Sequence, residues 1–169
     1  DPTRVVLSVE AAETLLPICH ERGVPMLLND RPDLALLAGC DGVHVGQQDT
    51  PYKEARRILG DEAMIGVTCH NSLHLAMEAA EGGADYVAFG AFYPTETKEI
   101  LHHAEIETLQ TWASVSIIPC VAIGGINLEN APSLIDAGAD FLAVITAVWK
   151  HPEGPATAVK AFNELMARS

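Results

Sequence analysis

The sequence is poor in aromatic and in basic residues. Only 5% of its 169 residues are aromatic, so the core has to be built mainly from Ala, Val, Leu and Ile, within a hydrophobic content of 49%. Ten Lys and Arg stand against 23 Asp and Glu, which gives a formal net charge of −13. A protein surface that binds nucleic acid or an anionic membrane needs clustered basic side chains. This charge balance therefore argues against both classes of partner.

Paired cysteines and long apolar runs are also missing. No two of the four cysteines (Cys19, Cys40, Cys69 and Cys120) form a C-x-x-C pair, which predicts reduced thiols and a cytoplasmic location. The longest hydrophobic runs are too short and too interrupted to span a bilayer.

Short apolar runs alternate with amphipathic helical patterns along the whole chain. Many runs, such as VAFG at 87–90, are apolar on both faces, as in parallel strands covered on both sides. We therefore predict one α/β domain over residues 1–169 with a parallel sheet. The predicted strands are Pro25–Asn29, Gly42–Gly46, Met64–Cys69, Tyr86–Gly90, Cys120–Gly124 and Phe141–Thr146. The predicted helices are Val9–Arg22, Pro32–Ala38, Pro51–Leu59, Ser72–Glu81, Glu105–Ala113, Leu128–Asp136 and Ala156–Ala167.

A short motif recurs before every second predicted strand, at 37–41, 81–85 and 136–140. In each copy a helix reaches a glycine and an Asp then precedes the strand. Alternate strands fill the same layers of a closed barrel, so this spacing favours a (β/α)8 TIM-type barrel over an open sheet. A closed barrel needs eight strands, and six are predicted here, so we expect two further units to precede Asp1.

Polar residues follow the predicted strands at the end where β/α barrels carry their active sites. Asp30 and Asp49 follow the first two strands, and two carboxylates there could hold one Mg²⁺ and leave room for phosphate oxygens. Alternatively, each Asp caps the helix that begins near the next proline, Pro32 or Pro51.

Two later segments could bind anions. The loop from Thr95 to Lys98 combines two hydroxyls with an ammonium, although an ordinary solvated loop is the alternative. Gly124 and Gly125, followed by Asn127 as a predicted N-cap, allow backbone N–H groups to approach an anion beside the next strand end at Thr146. The alternative for the two glycines is a tight turn needed only for packing.

The histidines give weaker signals. His44 lies in the apolar strand GVHVG, where a hydrogen-bonded core residue is favoured over a catalyst. His70 and His74 have helical spacing but no carboxylate or cysteine to complete a metal site, so we expect them on a helix surface.

Several of these segments resemble the thiamine-phosphate synthase family. The run LLNDRPDLALLAGCDGVHVGQQD carries N-D-R and V-H-x-G-Q-x-D, and IGVTCH, GGADYVAFGAFYPTETK, IPCVAIGGI and AGADFLAVITAVW follow in the family's order. The resemblance covers essentially the whole chain. It implies a magnesium-dependent transferase on a β/α barrel. In that family a thiazole phosphate, often with a carboxylate, attacks hydroxymethylpyrimidine diphosphate, and diphosphate leaves by a dissociative step to give thiamine phosphate.

The resemblance also implies roles for individual residues and for partners. The partners are the two small-molecule substrates, without nucleic acid or membrane, and a homo-oligomer is left open. Thr68 and Thr146 stand where the family usually has Ser. The implied magnesium ligands are Asp30 and Asp49, and the implied catalytic residues are Lys98 and Thr68. The implied substrate contacts are Asn29 and Lys98 for the diphosphate, Thr95 and Thr97 for the thiazole carboxylate, and Gly125, Ile145 and Thr146 for the thiazole phosphate.

The family's Q-L-R-x-K segment at the end of its second strand has no counterpart after Asp1. We therefore expect the first strand, first helix and second strand to be absent from this chain, which would expose two sheet edges and leave little activity. One alternative function is a thiazole tautomerase-like relative, against which Asn29, Asp30, Asp49 and Lys98 argue. The other is a non-catalytic phosphate-binding barrel fragment.

Overall fold

The computed structural model describes residues 2–95 and 103–167, with side chains from residue 9 onward, and its strands and helices alternate along the chain. This order confirms the predicted α/β class. The described strands are β1 (Leu27–Asn29), β2 (Gly42–Val45), β3 (Met64–His70), β4 (Tyr86–Phe89), β5 (Cys120–Ile123) and β6 (Phe141–Ala143). The described helices are α1 (Pro2–His20), α2 (Pro32–Ala38), α3 (Tyr52–Leu59), α4 (Leu73–Glu81), α5 (Ile106–Val115), α6 (Ala131–Asp136), α7 (Thr146–Trp149) and α8 (Pro155–Met166).

The described strands belong to one sheet, in the order in which they occur in the sequence. The described pairings of β1 with β2, β2 with β3, β4 with β5 and β5 with β6 are all parallel. Consecutive parallel strands need crossover connections, which the helices supply. The predicted parallel sheet is therefore confirmed. The closed (β/α)8 barrel, the units expected before Asp1 and the single domain over 1–169 stay predictions.

By its internal contacts the chain divides into two compact units, and the first comprises residues 1–68 and 78–85. In this unit α2 packs against α1, α3 and the first two strands. None of the helices in the described ranges of the chain combines the length and hydropathy that a membrane crossing requires. The buried core of the first unit includes Leu34, Ala35, Val43, Val45, Ala55 and Ile65.

The second unit comprises residues 69–77 and 86–169. The Trp112 ring of α5 meets Phe89 of β4 edge to face, with ring centroids 5.8 Å apart. The indole N–H donates to the carbonyl oxygen of Ile118 at 2.9 Å, so this buried aromatic residue keeps a polar partner. The core is completed by Val87, Leu109, Cys120, Ala122, Leu134 and Phe162.

Arg56 of α3 connects this helix to other parts of the first unit. Its side chain is only 18% exposed, and a guanidinium so placed needs hydrogen-bond acceptors on several sides. It donates to the Asp85 carboxylate at 2.8 Å and to the carbonyl oxygen of Ala63 at 2.5 Å. The Tyr52 ring lies 5.7 Å from the guanidinium carbon, which adds a cation–π contact. Arg56 therefore joins α3 to the segments that precede β3 and β4.

The recurrent Gly–Asp motif builds the same clamp three times at the amino ends of strands. The Asp carboxylate accepts a hydrogen bond from a backbone N–H at the start of the preceding strand. The residue that donates this N–H also accepts, through its carbonyl oxygen, a hydrogen bond from the Asp N–H. Two hydrogen bonds therefore join each Asp to the start of the preceding strand. The clamps are Asp41 with Met26 (2.6 and 2.9 Å), Asp85 with Ile65 (2.7 and 2.9 Å) and Asp140 with Cys120 (2.8 and 3.1 Å).

The Asp41 clamp has an additional partner. His20 of α1 places its Nε2 atom 2.9 Å from the Asp41 carboxylate. Burial raises the pKa of Asp41, but the Met26 N–H and His20 together outweigh burial and bring that pKa below its ordinary value. The carboxylate therefore stays ionised and keeps its acceptor role well below neutral pH.

Replacing a clamp carboxylate should weaken the fold. Asp140→Ala leaves the N–H of buried Cys120 without its acceptor, and we expect the free energy of unfolding to fall by about 1–3 kcal/mol. Urea denaturation followed by circular dichroism measures this. Two controls should each lose less of the free energy of unfolding. Asp140→Asn retains an acceptor oxygen, and Asp136→Ala removes an exposed carboxylate at the end of α6. Equal stability of Asp140→Ala and Asp136→Ala would contradict the clamp.

Candidate active site

Asp30 occupies a tight turn directly after β1. Its N–H donates to the carbonyl oxygen of His44 at 2.8 Å, and the N–H of Arg31 donates to that of Asn29 at 2.8 Å. Asp30 is thus the central residue of a three-residue turn, with φ at 68° in the left-handed region. A non-glycine residue there is strained, and such strain concentrates at functional sites. The residue in the cap position of α2 is Arg31, which argues against the helix-cap interpretation of Asp30.

Asp49 is held by the end of β2. Its Oδ2 atom accepts a hydrogen bond from the N–H of Gly46 at 2.7 Å. A Cβ at position 46 would stand 2.9 Å from that oxygen, so glycine permits the approach. The residue flanking α3 is Pro51, which again argues against a helix cap. Asp49 therefore closes the loop after β2 and fixes the direction of its own carboxylate.

The two carboxylates belong to the same end of neighbouring strands. Asn29 is paired with His44 in the parallel register of β1 and β2, and both Asp residues follow these strands within a few positions. Across residues 9–95 and 103–167, no three His, Cys, Asp or Glu side chains form a group that could hold a metal ion. Two carboxylates are nevertheless enough for Mg²⁺ when substrate phosphates complete its coordination.

Thr68 is fixed from two directions near the end of β3. Its hydroxyl lies 2.7 Å from Nε2 of His44, and its carbonyl oxygen accepts a hydrogen bond from the Gln47 side chain at 2.6 Å. The prediction of a hydrogen-bonded His44 is confirmed. The sequence motifs do not assign a role to Gln47, although its position just after β2 places it among the residues that follow the strands.

The end of β3 differs from its prediction. His70 is the last residue of this strand, with φ at 53°, so the predicted helix-surface position is wrong for it. The following residue, Asn71, accepts hydrogen bonds from the N–H of Glu105 at 3.0 Å and from the Thr108 hydroxyl at 2.6 Å. Asn71 therefore holds the start of α5, a role that local sequence patterns do not reveal.

The segment after β4 runs beside the turn after β5. The N–H of Tyr93 donates to the carbonyl oxygen of Gly124 at 3.1 Å. Gly125 has φ at 64°, and a Cβ there would stand 2.6 Å from the carbonyl oxygen of Tyr93. Packing alone thus requires glycine at 125, and anion binding there stays a prediction. Thr95 is half-buried, whereas Thr97 and Lys98 lie outside the described residues.

The prediction of a strand over Phe141–Thr146 is wrong beyond Ala143. β6 ends there, and Thr146 begins the short helix α7, with the preceding Ile145 57% exposed. The apolar run continues from strand into helix, and periodicity cannot separate the two in so short a stretch. Ile145 and Thr146 therefore lie at a helix start, where the first N–H groups have no acceptor within the helix.

An open, largely apolar groove of about 780 Å³ lies against α7 and α8. Trp149, Val159 and Asn163 are among its lining residues. It contains none of the predicted site residues, and its open apolar walls do not suit a phosphate, so we do not assign the substrates to it.

Comparison with known proteins decides the family. The family model described as thiamine monophosphate synthase matches residues 7–148. The chain belongs to this family. It is 61% identical over 158 residues to the thiamine-phosphate synthase of Rhodospirillum centenum, which covers 94% of this chain and 76% of that protein. It is 55% identical over 156 residues to that of Hyphomonas neptunium, covering 92% and 71%.

The likeness extends to a solved structure. The thiamine phosphate pyrophosphorylase from Pyrococcus furiosus matches with a TM-score of 0.85 at 33% identity, over 97% of this chain and 78% of that chain. The resemblance stated from the sequence motifs is therefore confirmed at the level of the family.

The strain at Asp30 allows a test of whether its carboxylate serves the fold. Asp30→Gly relieves the left-handed backbone but loosens the unfolded chain, so the free energy of unfolding should change by less than about 1 kcal/mol. Asp33→Gly, in the first turn of α2, should destabilise by about 1 kcal/mol, because it removes the ion pair with Arg31 and the negative charge at the helix start and adds a poorer helix former. Thermal denaturation compares them. A larger loss for Asp30→Gly than for Asp33→Gly would make Asp30 a structural residue.

Proposed function

We propose that this chain joins hydroxymethylpyrimidine diphosphate to thiazole phosphate, or to its carboxylate, and releases thiamine phosphate and diphosphate. Family membership carries the proposal, because a thiamine-phosphate synthase is 61% identical over 94% of the chain. In this reaction the bond from the pyrimidine methylene carbon to the diphosphate oxygen breaks, and a bond from that carbon to the thiazole nitrogen forms. The pyrimidine group is thus transferred, so the chain is a transferase. The same proposal includes the closed (β/α)8 barrel and the cytoplasmic location.

Asp30 and Asp49 are the proposed magnesium ligands. Their carboxylates are the hard oxygen donors that Mg²⁺ requires, and both follow neighbouring parallel strands. When bound, Mg²⁺ supplies positive charge that stabilises the departing diphosphate. Asn29, directly before Asp30, is the proposed diphosphate contact, and Lys98 would add a second positive charge.

Thr68 is the proposed contact near the reacting pyrimidine. Its hydroxyl is already oriented by His44 at 2.7 Å, so it needs little reorganisation when substrate binds. The neighbouring thiol argues against covalent catalysis, because burial raises the pKa of Cys69 to about 12. Burial likewise raises the pKa of Cys120 to about 11, so neither thiol is a nucleophile near neutral pH.

The thiazole substrate is the proposed ligand of residues in the second unit. Thr95 and Thr97 would bind its carboxylate, and Gly125, Ile145 and Thr146 would bind its phosphate. Backbone N–H groups at the Gly125 turn and at the start of α7 suit a phosphate, because they are hydrogen-bond donors that carry partial positive charge. Holding the phosphate also holds the ring nitrogen in place for attack, which lowers the entropic part of the barrier.

Removal of one proposed metal ligand tests the proposal. Asp49→Ala should reduce magnesium-dependent release of diphosphate from the two substrates by about 100-fold or more, because the charge stabilisation of the leaving group is weakened. The control Asp61→Ala removes an exposed carboxylate from the turn after α3 and should retain full turnover. Unchanged magnesium dependence in Asp49→Ala would refute the metal assignment. Thiazole isomerisation without diphosphate release by the unmodified chain would refute the synthase function.

A further inference from the structure

Asn130 holds together the turn that follows β5. Its Oδ1 atom accepts a hydrogen bond from the N–H of Asn127 at 2.8 Å, and its Nδ2 atom donates to the carbonyl oxygen of Gly125 at 3.1 Å. In return, the N–H of Asn130 donates to Oδ1 of Asn127 at 3.0 Å. The two asparagines therefore bond reciprocally and close the turn.

The same residue also anchors the segment that follows β4. Its carbonyl oxygen lies 2.8 Å from the Ser133 hydroxyl and 3.3 Å from the Tyr93 hydroxyl, and the two hydroxyls lie 2.9 Å from each other. Because each hydroxyl has one proton, two of these three contacts are hydrogen bonds at any moment. Since the N–H of Tyr93 is bonded to Gly124, the segment that leads to Thr95 is attached to the turn at two points.

The bond from Asn130 to Gly125 sets the direction of one peptide plane. A trans peptide points its C=O and its following N–H in opposite directions. When Asn130 holds the carbonyl of Gly125, the N–H of Ile126 has to point away from Asn130. Gly125 has φ at 64°, in the region where a chain without a Cβ is free to rotate among several conformations. The hydrogen bond from Asn130 therefore helps to fix this plane.

We propose that Asn130 is a positioning residue for the thiazole phosphate. It keeps the Gly125 peptide oriented so that backbone N–H groups of the turn face the phosphate, and it holds the segment of Thr95 beside them. This rests on the proposed function, because that function places the phosphate at Gly125. Asn130 itself touches no substrate and acts only through Gly125 and Tyr93.

A matched pair of isosteric substitutions separates positioning from charge. Asn130→Asp keeps the acceptor for Asn127 but sets a carboxylate oxygen against the Gly125 carbonyl, where an N–H stood. Asn127→Asp adds the same charge to the same turn. It retains Oδ1, which accepts from the N–H groups of Glu129 at 2.9 Å and Asn130 at 3.0 Å. The difference between the two variants therefore reports the loss of the Gly125 bond.

Steady-state kinetics with both substrates is the measurement. We expect Asn130→Asp to raise the KM for thiazole phosphate about tenfold above that of Asn127→Asp. The two variants should have the same kcat and the same KM for the pyrimidine diphosphate within about twofold, because the lost interaction concerns only the thiazole phosphate. Asn130→Ala, which removes both side-chain bonds without adding charge, should raise the same KM.

Three outcomes would overturn the inference. One is an equal thiazole-phosphate KM in Asn130→Asp and Asn127→Asp. Another is unfolding of both Asn130 variants at the assay temperature, as seen by circular dichroism, since Asn130 would then serve the fold. The third is an unmodified chain that releases no diphosphate, which refutes the proposed function and this inference with it. With an active unmodified chain, the first two outcomes concern Asn130 alone.

Discussion

Parallel pairing of neighbouring strands is the constraint on which the candidate site depends. Because β1 and β2 run in the same direction, the residues that follow them emerge at one edge, and Asp30 and Asp49 both follow these strands there. At the amino ends of the same two strands stands a different aspartate, Asp41, whose carboxylate accepts a hydrogen bond from the backbone N–H of Met26. One residue type thus serves structure at one end and is proposed to serve chemistry at the other.

The strand positions could be predicted because buried parallel strands are apolar on both faces and end at Gly or polar residues. Five of the six strand starts agree with the structure, and β1 begins two residues late. The end of β6 could not be predicted, since the apolar run passes into α7 without a change in composition. The recurrent Asp was recognised as a pattern, but its clamp required knowledge of which strand lies beside it.

For the candidate site, the sequence motifs indicated Asp30, Asp49 and Thr68 through their family resemblance. The positive φ of Asp30 had only a weak local signal, because Asp tolerates the left-handed region but mostly adopts other conformations. Gln47, Asn71 and Asn130 were missed for two reasons. Each of the first two bonds a residue more than 20 positions away, and Asn130 bonds near neighbours through a geometry that only the folded turn creates.

The three Asp clamps recognise only main-chain atoms of the strand they grip. No side chain on the gripped strand is specified, so its residues are free to diverge as long as they stay apolar. A shift of that strand by one position would break both hydrogen bonds of a clamp and turn every buried side chain toward the opposite face. The clamps therefore fix the register of the sheet through main-chain atoms, and they tolerate apolar substitutions along the strands that they hold.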